Sequence, residues 1–129
     1  MYIVVIGGGK VGYHLSKALL SAGHEVFIIE RDFNKVERLR DELGNLALKG
    51  DGSEPNVLKE AGLPRAGLII ATTGSDEDNL AACQIAKGSF GVEEAISVIT
   101  DPENEALFRL LGINLTVSST QVILGQIEE

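Results

Sequence analysis

Three glycines close to the amino terminus have the spacing of a phosphate-binding loop. Gly7, Gly9 and Gly12 form the pattern G-x-G-x-x-G between a short apolar run and a segment of helical periodicity. In such a loop the first glycine permits a tight turn, the second lacks the Cβ that would keep a pyrophosphate from the backbone, and the third lets the helix pack against its strand. Lys10 lies inside the loop, where its ammonium group either reaches a phosphate, in its own or a neighbouring subunit, or is simply solvated.

A carboxylate follows the loop at the separation that ribose binding requires. Glu30 ends the second apolar run, eighteen residues beyond Gly12. There its oxygens would accept hydrogen bonds from ribose hydroxyls and would repel a 2′-phosphate. The two features together predict binding of NAD(H) or an adenine nucleotide, with NADP disfavoured; a glycine turn without a ligand is the alternative. Arg31, the next residue, is compatible with contact to the adenine or a phosphate and equally with solvation.

These residues need a scaffold of strands and helices to bring them together. Short runs rich in Val and Ile alternate with segments of 3.6-residue periodicity, which predicts repeated βα units and a parallel sheet. The runs are continuously apolar, as expected for strands covered by helices on both faces. We therefore predict a single α/β domain, residues 1–129, with a Rossmann-type doubly wound parallel sheet of six strands. The predicted strands are residues 2–6, 25–30, 46–49, 68–72, 95–100 and 114–118.

Start signals and apolar spacing predict the helices. Ser53 is a candidate N-cap with Pro55 inside the first turn, and Ser75 is a candidate N-cap followed by three acidic residues. Asp101, before a proline, starts the fifth helix in the same way. Apolar residues at helical spacing predict the faces that pack on the sheet. They are Val11, Leu15, Ala18, Leu19 and Ala22 in the first helix, Val36, Leu39 and Leu43 in the second, and Ala106, Leu107, Leu110 and Leu111 in the fifth.

Composition and charge exclude several classes of function. The 129 residues carry 11 Lys and Arg against 19 Asp and Glu, a net charge of −8, and 8 of the 11 cations lie in residues 1–64. So acidic a chain is poorly suited to binding nucleic acid or anionic lipid, and no apolar run is long enough to cross a membrane. The single cysteine, Cys83, excludes an intrachain disulfide and predicts a small buried side chain. Because no basic region precedes the first apolar run, we expect a cytoplasmic protein.

The sequence offers no evident acid–base pair for a dehydrogenase. Such an enzyme holds a second substrate against the nicotinamide and moves its proton, usually with groups from a second domain for which 129 residues leave no room. His14 lies in the first helix and His24 precedes the second strand, so structural or solvated roles are favoured for both. Tyr13 and Lys17 imitate the pair of short-chain dehydrogenases, but in a different helix. We predict no enzyme; the alternative is a small NAD-dependent oxidoreductase or a cofactor-binding fragment of one.

Three segments of the chain together resemble one family. They are VIGGGKVG at residues 5–12, GDGS followed by LKEAG within residues 50–62, and IATTGSDEDNL followed by CQIAK within residues 70–87. Over essentially the whole chain this combination is similar to the nucleotide-binding lobe of the Trk/Ktr potassium-uptake regulatory subunits, the TrkA-N or RCK amino-terminal domain. The resemblance implies a cytoplasmic regulatory protein that binds NAD(H), ATP, ADP or AMP. It also implies assembly through homodimers into rings, and gating of a membrane-embedded potassium transporter or channel.

The resemblance also implies roles for individual residues. The phosphates would be cradled by Gly7, Gly9, Lys10 and Val11, with Gly12 in the same loop, and the ribose would be held by Glu30 and Arg31. The adenine would be bordered by Asp51 and Gly52, and the floor of the crevice would be lined by Thr72, Thr73 and Gly74.

The chain departs from the family pattern at two places. Lys10 stands where members often have arginine, and lysine keeps the charge but loses the two-pronged fork that grips a terminal phosphate. This weakens the expectation of strong ATP-over-ADP discrimination. Ser119 and Thr120 stand where some members have a carboxylate that helps to bind a cation, so we predict no metal site.

The final helix, residues 119–129, is predicted to take part in dimerisation. Val122, Ile123, Leu124 and Ile127 cover more than one of its faces, so part of this apolar surface would stay uncovered in a monomer. In the family this helix crosses to the neighbouring subunit. A third functional hypothesis is a ligand-sensing module of another membrane transporter, because the crevice does not encode its partner.

Overall fold

Six parallel strands form one sheet in the order β3-β2-β1-β4-β5-β6, which confirms the predicted doubly wound Rossmann-type fold. The computed structural model describes residues 1–128; Glu129, the last residue of the predicted final helix, lies outside the described residues. The strands agree with the predicted ones to within two residues at each end. They are β1 Tyr2–Ile6, β2 Glu25–Glu30, β3 Ala47–Lys49, β4 Leu68–Ala71, β5 Glu94–Val98 and β6 Leu115–Val117.

Helices connect the strands and cover both faces of the sheet. They are α1 Lys10–Ser21, α2 Phe33–Leu43, α3 Pro55–Glu60, α4 Asp76–Phe90, α5 Glu105–Leu110 and α6 Ser119–Glu128. Two 3₁₀ turns, Leu63–Arg65 and Pro102–Asn104, precede β4 and α5. α1 and α2 pack on one face, and α3, α4 and α5 pack on the other. None of the described helices is long and apolar enough to cross a membrane.

The two central strands place the site. β1 pairs with β2 on one side, where Ile6 is level with Ile29, and with β4 on the other, where Ile6 is level with Ala71. Both strands are buried along almost their whole length, as their continuous apolar runs predict. The chain leaves β1 towards β2 and returns from β3 to β4, so the winding reverses between β1 and β4. In open α/β sheets a ligand crevice forms beyond the carboxyl ends of the strands at this point.

The face of α1 that packs on the sheet differs from the predicted one. Gly12 and Ser16 are buried, whereas Val11 is 56% exposed. A Cβ on Gly12 would lie 1.9 Å from the carbonyl oxygen of Gly7, so the helix begins in backbone contact with the turn after β1. That contact fixes the rotation of α1 and turns its small residues towards the strands. Of the predicted apolar face, Leu15 and Leu19 are partly buried, while Val11, Ala18 and Ala22 are exposed.

The predicted apolar face of α5 is wrong. Phe108 is 1% exposed and packs in the core, whereas Leu107 and Leu110 are 46% and 81% exposed. Residues 102–104 form a 3₁₀ turn, capped by the Asp101 carboxylate, which accepts a hydrogen bond of 3.0 Å from the Glu103 N–H. α5 therefore starts late, and its phase differs from that of the longer helix that the pattern predicts. The whole predicted face is exposed: Ala106, Leu107, Leu110 and Leu111.

Of the predicted N-caps, Ser75 is confirmed and Ser53 is wrong. The Ser75 hydroxyl accepts a hydrogen bond of 3.2 Å from the Asp78 N–H in the first turn of α4. The N-cap of α3 is Glu54, without a side-chain hydrogen bond. Ser53 instead donates through both its N–H and its hydroxyl to the Asp51 carboxylate, at 2.8 and 2.7 Å. The nearby carboxylate competes successfully for the hydroxyl that would otherwise cap the helix.

Ser16 gives a stability prediction. Its hydroxyl is fully buried where α1 meets the sheet, and within the described residues it has no hydrogen-bond partner. We expect Ser16→Ala to raise the free energy of unfolding by about 1 kcal/mol, because it removes an unsatisfied buried group and improves helix propensity. Urea unfolding followed by circular dichroism measures the effect. Ser21→Ala, at the exposed end of the same helix, is the matched control, and a net loss of stability in Ser16→Ala would contradict the prediction.

Candidate functional site

A cleft of about 210 Å³ lies at the carboxyl ends of the central strands. Nine of the twelve predicted site residues line it, from four separate loops. The cleft is lined by Ile6, Gly7, Gly9, Ile29, Glu30, Arg31, Lys35, Gly50, Asp51, Gly52, Ser53, Thr72, Thr73, Gly74 and Asp78. The fold therefore brings together residues that the sequence separates by as much as seventy positions.

The glycine loop combines two crowded positions with one open position. Gly7 has φ +102°, and a Cβ there would lie 2.8 Å from the Thr72 hydroxyl oxygen. Gly12 has no room for a Cβ because of the Gly7 carbonyl. A Cβ on Gly9, in contrast, would meet no atom within 4 Å and would project into open space beside the cleft. The first and third glycines thus serve the turn, and the second leaves space for a ligand.

The other three predicted residues lie outside the cleft lining. Gly12 is buried beneath the loop, and the Val11 side chain is 56% exposed, so a contact from Val11 would involve its backbone. Lys10 is exposed and lines a neighbouring cavity between α1 and α2. Their contacts with a ligand stay predictions.

The carboxylate of Glu30 is fixed beside the loop. The side chain is 9% exposed, its Oε1 accepts a hydrogen bond of 2.7 Å from the Gly8 N–H, and its Oε2 accepts one of 2.7 Å from the Asp32 N–H. Both bonds tie the glycine loop and the start of α2 to the end of β2. Each carboxylate oxygen can accept a further hydrogen bond. The group is therefore held in one orientation and keeps its capacity to accept hydrogen bonds from ribose hydroxyls.

Arg31 bridges the cleft, and we call this contact the Arg31 bridge. Its guanidinium lies 2.9 Å from an oxygen of Asp78 in α4 and 3.3 Å from an oxygen of Asp51 after β3. The hydrogen bonds from Ser53 hold the pKa of Asp51 below its usual range, and Arg31 lowers that pKa further, although burial opposes both. Asp51 is therefore ionised at neutral pH. The arginine side chain is 62% exposed, so its position can change at little cost in packing.

A buried asparagine holds the floor of the cleft. Asn79 is fully buried; its Oδ1 accepts hydrogen bonds from the Thr73 N–H and hydroxyl, and its Nδ2 donates to the Thr73 carbonyl at 3.0 Å. The Thr72 hydroxyl donates to the Ile6 carbonyl at 2.9 Å and so ties β4 to β1. These contacts fix the loop from Thr72 to Gly74 in one conformation. Asn79 is a positioning residue, since it is not part of the cleft lining.

Four functional candidates are not among the residues predicted from the sequence. Asp78, Lys35 and Ser53 line the cleft, and Asn79 supports it. Asp78 is a carboxylate close to the predicted crevice, but as one of three acidic residues at the start of α4 it was interpreted as stabilising the helix dipole. Asn79 carried a signal as a polar side chain among the apolar residues of a helix that packs on the sheet. Lys35 and Ser53 had no signal beyond their closeness to Glu30 and Asp51.

The titratable groups in the described cleft lining are carboxylates, a lysine and an arginine. Among residues 1–128, no histidine, cysteine or tyrosine lines the cleft, and no three His, Cys, Asp or Glu side chains come together so as to hold a metal ion. Cys83 is fully buried, as predicted, and burial raises its pKa to about 12. Its thiol is therefore protonated and shielded. The absence of a metal site in the whole protein stays a prediction.

Asp76, at the start of α4, gives a prediction for the pH dependence of stability. It accepts hydrogen bonds from the Thr100 and Asp101 N–H groups at 2.7 and 2.9 Å and from the Asn104 amide. Burial raises its pKa, but these donors outweigh burial, so the pKa lies below its usual value. A carboxylate with a lowered pKa stabilises the fold above its unfolded-state pKa of about 3.9, and this contribution is lost as the pH falls through the folded-state value.

We therefore expect Asp76→Asn to lower the free energy of unfolding at pH 7 and to flatten its decline below about pH 4. Urea titrations from pH 7 to pH 2.5 measure both effects. Glu77→Gln is the matched control, because Glu77 is exposed in the same first turn. A variant whose stability runs parallel to the wild type at every pH would contradict the role of Asp76.

The family model of the TrkA-N domain matches residues 3–119 of the chain. The chain belongs to the TrkA-N domain family. This confirms the resemblance predicted from the three sequence segments. The TrkA-N chain is 33% identical over all its 129 residues to a Trk system potassium uptake protein TrkA homolog of Methanothermobacter thermautotrophicus. It is 37% identical over 88% of its length to the Trk system potassium uptake protein TrkA of Streptomyces coelicolor. It spans 59% and 51% of the lengths of these two relatives.

Solved structures share the fold of this TrkA-N chain. The TrkA-N domain of the inner membrane protein ybaL from Escherichia coli matches 98% of the chain and 93% of its own, with a TM-score of 0.89 at 22% identity. The GsuK channel bound to NAD matches 90% of the chain and 21% of its own, with a TM-score of 0.79 at 25% identity. GsuK bound to ADP matches 94% of the chain and 32% of its own, with a TM-score of 0.82 at 25% identity.

Proposed function

We propose that this TrkA-N chain is a regulatory nucleotide sensor: it binds NAD(H) or an adenine nucleotide in the cleft and gates a membrane-embedded potassium transporter or channel. The observation that carries the proposal is the Glu30 carboxylate, held in a fixed orientation beside a glycine loop whose central glycine faces open space. GsuK, with a similar fold, binds NAD and ADP. The relatives named Trk system potassium uptake proteins support the assignment to potassium transport.

The lining residues fit an adenine nucleotide. Glu30 would accept hydrogen bonds from the ribose hydroxyls, and the open side of Gly9 would receive the phosphates. Asp51 and Gly52 would border the adenine. The floor, formed by Thr72, Thr73 and Gly74, would carry the remainder of a dinucleotide.

The Arg31 bridge supplies a reason why binding would change the conformation. The Arg31 guanidinium joins Asp51 and Asp78, and all three residues line the cleft. An entering nucleotide would therefore displace the exposed Arg31 side chain from Asp51 or Asp78, which belong to different elements of the fold. A ligand shifts a conformational equilibrium by the difference in its affinity for the two states. Bridged and open clefts offer a nucleotide different contacts, so they meet this requirement.

The proposal of a sensor rather than an enzyme rests on the composition of the cleft. The length of the chain is not used as an argument against an enzyme, because the relatives extend beyond the region that matches the chain. The described cleft lining holds carboxylates, cations and threonines but no histidine, tyrosine or cysteine. The alternative of an NAD-dependent oxidoreductase predicts NADH turnover with a carbonyl substrate. Steady-state consumption of NADH by the purified chain would favour that alternative.

We propose that residues 1–129 form one nucleotide-binding unit that dimerises through its final helix. The exposed apolar surface of that helix supports the dimerisation. In α6, Val122 and Ile123 are 56% and 59% exposed and Ile127 is 73% exposed. Leu110 of α5, at 81%, adds to the apolar surface of the carboxy-terminal part. Association of two copies would remove such side chains from water. Analytical ultracentrifugation that finds only monomer at high concentration, with and without nucleotide, would contradict the homodimer.

Partner and location belong to the same proposal. A sensor of this kind would work from the cytoplasmic face of the membrane and reach it by docking on the transport protein. A transporter for another ion is the alternative partner. Co-purification tests the choice. Recovery of a potassium transport subunit with the chain would support the proposal, and recovery of a transporter for another ion would support the alternative.

A thermal-shift and calorimetry panel of NAD, NADH, NADP, AMP, ADP and ATP tests ligand binding. A ligand at a hundredfold excess over its Kd stabilises the fold by about 2.7 kcal/mol, which gives a clear rise in the midpoint. We expect NAD(H) and adenine nucleotides to raise the midpoint and NADP to bind more weakly than NAD. If none of the six compounds raised it, the sensor proposal would fail; tighter binding of NADP would contradict the role of Glu30.

A further inference from the structure

A second cavity, of about 460 Å³, opens between the first turn of α1 and the side of α2 from Lys35 to Glu42, and we call it the α1–α2 cavity. Gly9 and Lys35 line both this cavity and the cleft, so the two adjoin. The cations Lys10, Lys35 and Arg38 line it together with a single carboxylate, that of Glu42. Neither the family resemblance nor the cleft gives a role to Arg38.

The three cations run against the charge of the protein. The chain has a net charge of −8, yet the α1–α2 cavity brings three of its cations together. Within residues 1–128, none of the three has an ion pair. The other four arginines of the chain, residues 31, 40, 65 and 109, are all paired with a carboxylate. Three cations and one carboxylate leave the lining of the cavity with an excess of positive charge, which attracts an anion.

The first turns of α1 and α2 both contribute a lining residue to the cavity, Lys10 and Lys35. Neither α1 nor α2 has an acidic residue in its first turn or a hydrogen-bonded side-chain cap. α4, in contrast, has Asp76, Glu77 and Asp78 in its first turn and a serine cap. The partial positive charge of a helix amino terminus favours anions. At α4 the first-turn carboxylates neutralise this charge, whereas before α1 and α2 the nearest carboxylate is that of Glu30, which accepts hydrogen bonds from the Gly8 and Asp32 N–H groups, and α2 begins at the acidic N-cap Asp32.

We infer that the α1–α2 cavity binds a polyphosphate group, with Arg38, Lys35 and Lys10 as its cationic contacts. Such a group has two sources. It is either the terminal phosphates of a nucleoside triphosphate whose ribose lies on Glu30 and whose phosphate chain passes Gly9, or a separate phosphorylated molecule. The first source rests on the proposed function, and the second does not. Arg38 provides the planar fork for a terminal phosphate that lysine at position 10 lacks.

Calorimetry of the whole chain with tripolyphosphate, AMP and ATP tests the inference. Arg38→Ala is the informative variant, because Arg38 lines the α1–α2 cavity and not the cleft. Lys59→Ala, an exposed cation outside both cavities, is the matched control with the same change in charge. We expect Arg38→Ala to weaken tripolyphosphate or ATP about tenfold or more, as loss of a charge-assisted contact does. AMP affinity and the control should change less than twofold, and Arg38→Lys should recover part of the loss.

The outcomes separate the two sources and the proposed function. A tenfold loss for ATP with AMP unchanged identifies the terminal phosphates of the cleft nucleotide. A loss for tripolyphosphate with ATP unchanged identifies a separate molecule. Tripolyphosphate binding without any nucleotide binding would contradict the proposed function and leave the α1–α2 cavity as a polyphosphate site. If Arg38→Ala weakened neither compound, or no more than Lys59→Ala, the inference would be overturned.

Discussion

Gly12→Ala is expected to cost about 3–5 kcal/mol of the free energy of unfolding, a large part of the stability of a domain of this size. The added Cβ would lie 1.9 Å from the Gly7 carbonyl oxygen and 2.8 Å from the carbonyl carbon, both of them backbone atoms. Neither atom can move without separating α1 from β1. Urea unfolding followed by circular dichroism measures the loss. A variant within 1 kcal/mol of the wild type would show that the start of α1 is more adaptable than its contacts indicate.

Gly9→Ala is the matched control for that substitution. Gly9 has φ −74° and ψ −161°, which alanine can adopt, and its Cβ would meet no atom within 4 Å. We expect the free energy of unfolding to change by less than about 1 kcal/mol. The new methyl group would occupy space beside the cleft, so nucleotide affinity should fall at least tenfold. The two glycines of one loop then separate folding from binding, and unchanged affinity in Gly9→Ala would contradict the placement of the phosphates.

Glu30→Gln is expected to weaken NAD and ADP binding at least thirtyfold, or about 2 kcal/mol. In the wild type the Gly8 and Asp32 N–H groups each donate to one oxygen of the Glu30 carboxylate, both at 2.7 Å. A glutamine keeps only one acceptor oxygen and turns its NH₂ group towards the other N–H. The loop would lose one of its anchors, and the ribose would lose a charged acceptor. Loss of the negative charge also removes the repulsion of a 2′-phosphate. The ratio of NADP to NAD affinity should therefore rise.

Isothermal titration calorimetry with NAD, NADP and ADP measures these changes. Glu25→Gln is the control, because Glu25 is exposed at the other end of β2. We expect its nucleotide affinities to match those of the wild type. If Glu30→Gln bound NAD as tightly as the wild type, the ribose role would be wrong. A drop shared by Glu25→Gln would point to a general effect of charge instead.

Four features of the site lie in the sequence because each depends on residue type and local order. The runs around β1 and β4 contain only apolar residues, and such runs are stable only when covered on both faces, which predicts a parallel sheet between helices. Gly7, Gly9 and Gly12 restrict the backbone locally. Glu30 is the last residue of β2, so the parallel arrangement of the strands places it at the same edge of the sheet as the glycine loop. The sequence could therefore predict the fold class, the glycine loop, the Glu30 carboxylate beside it and the two polar loops after β3 and β4.

Other features required the tertiary structure, because they depend on the distance between parts of the chain that are far apart in sequence. The Arg31 bridge joins residues 31, 51 and 78, and only the relative positions of the ends of β2 and β3 and the start of α4 in the folded chain determine that one guanidinium reaches both carboxylates. The rotation of α1 follows from the contact of Gly12 with Gly7, and that of α5 from the 3₁₀ turn before it. An apolar pattern marks one face of a helix, and in α2 that face is the buried one, with Val36 and Leu39 in the core. In α1 and α5 a backbone contact and a 3₁₀ turn set a different rotation, so only the tertiary structure decided which face packs on the sheet.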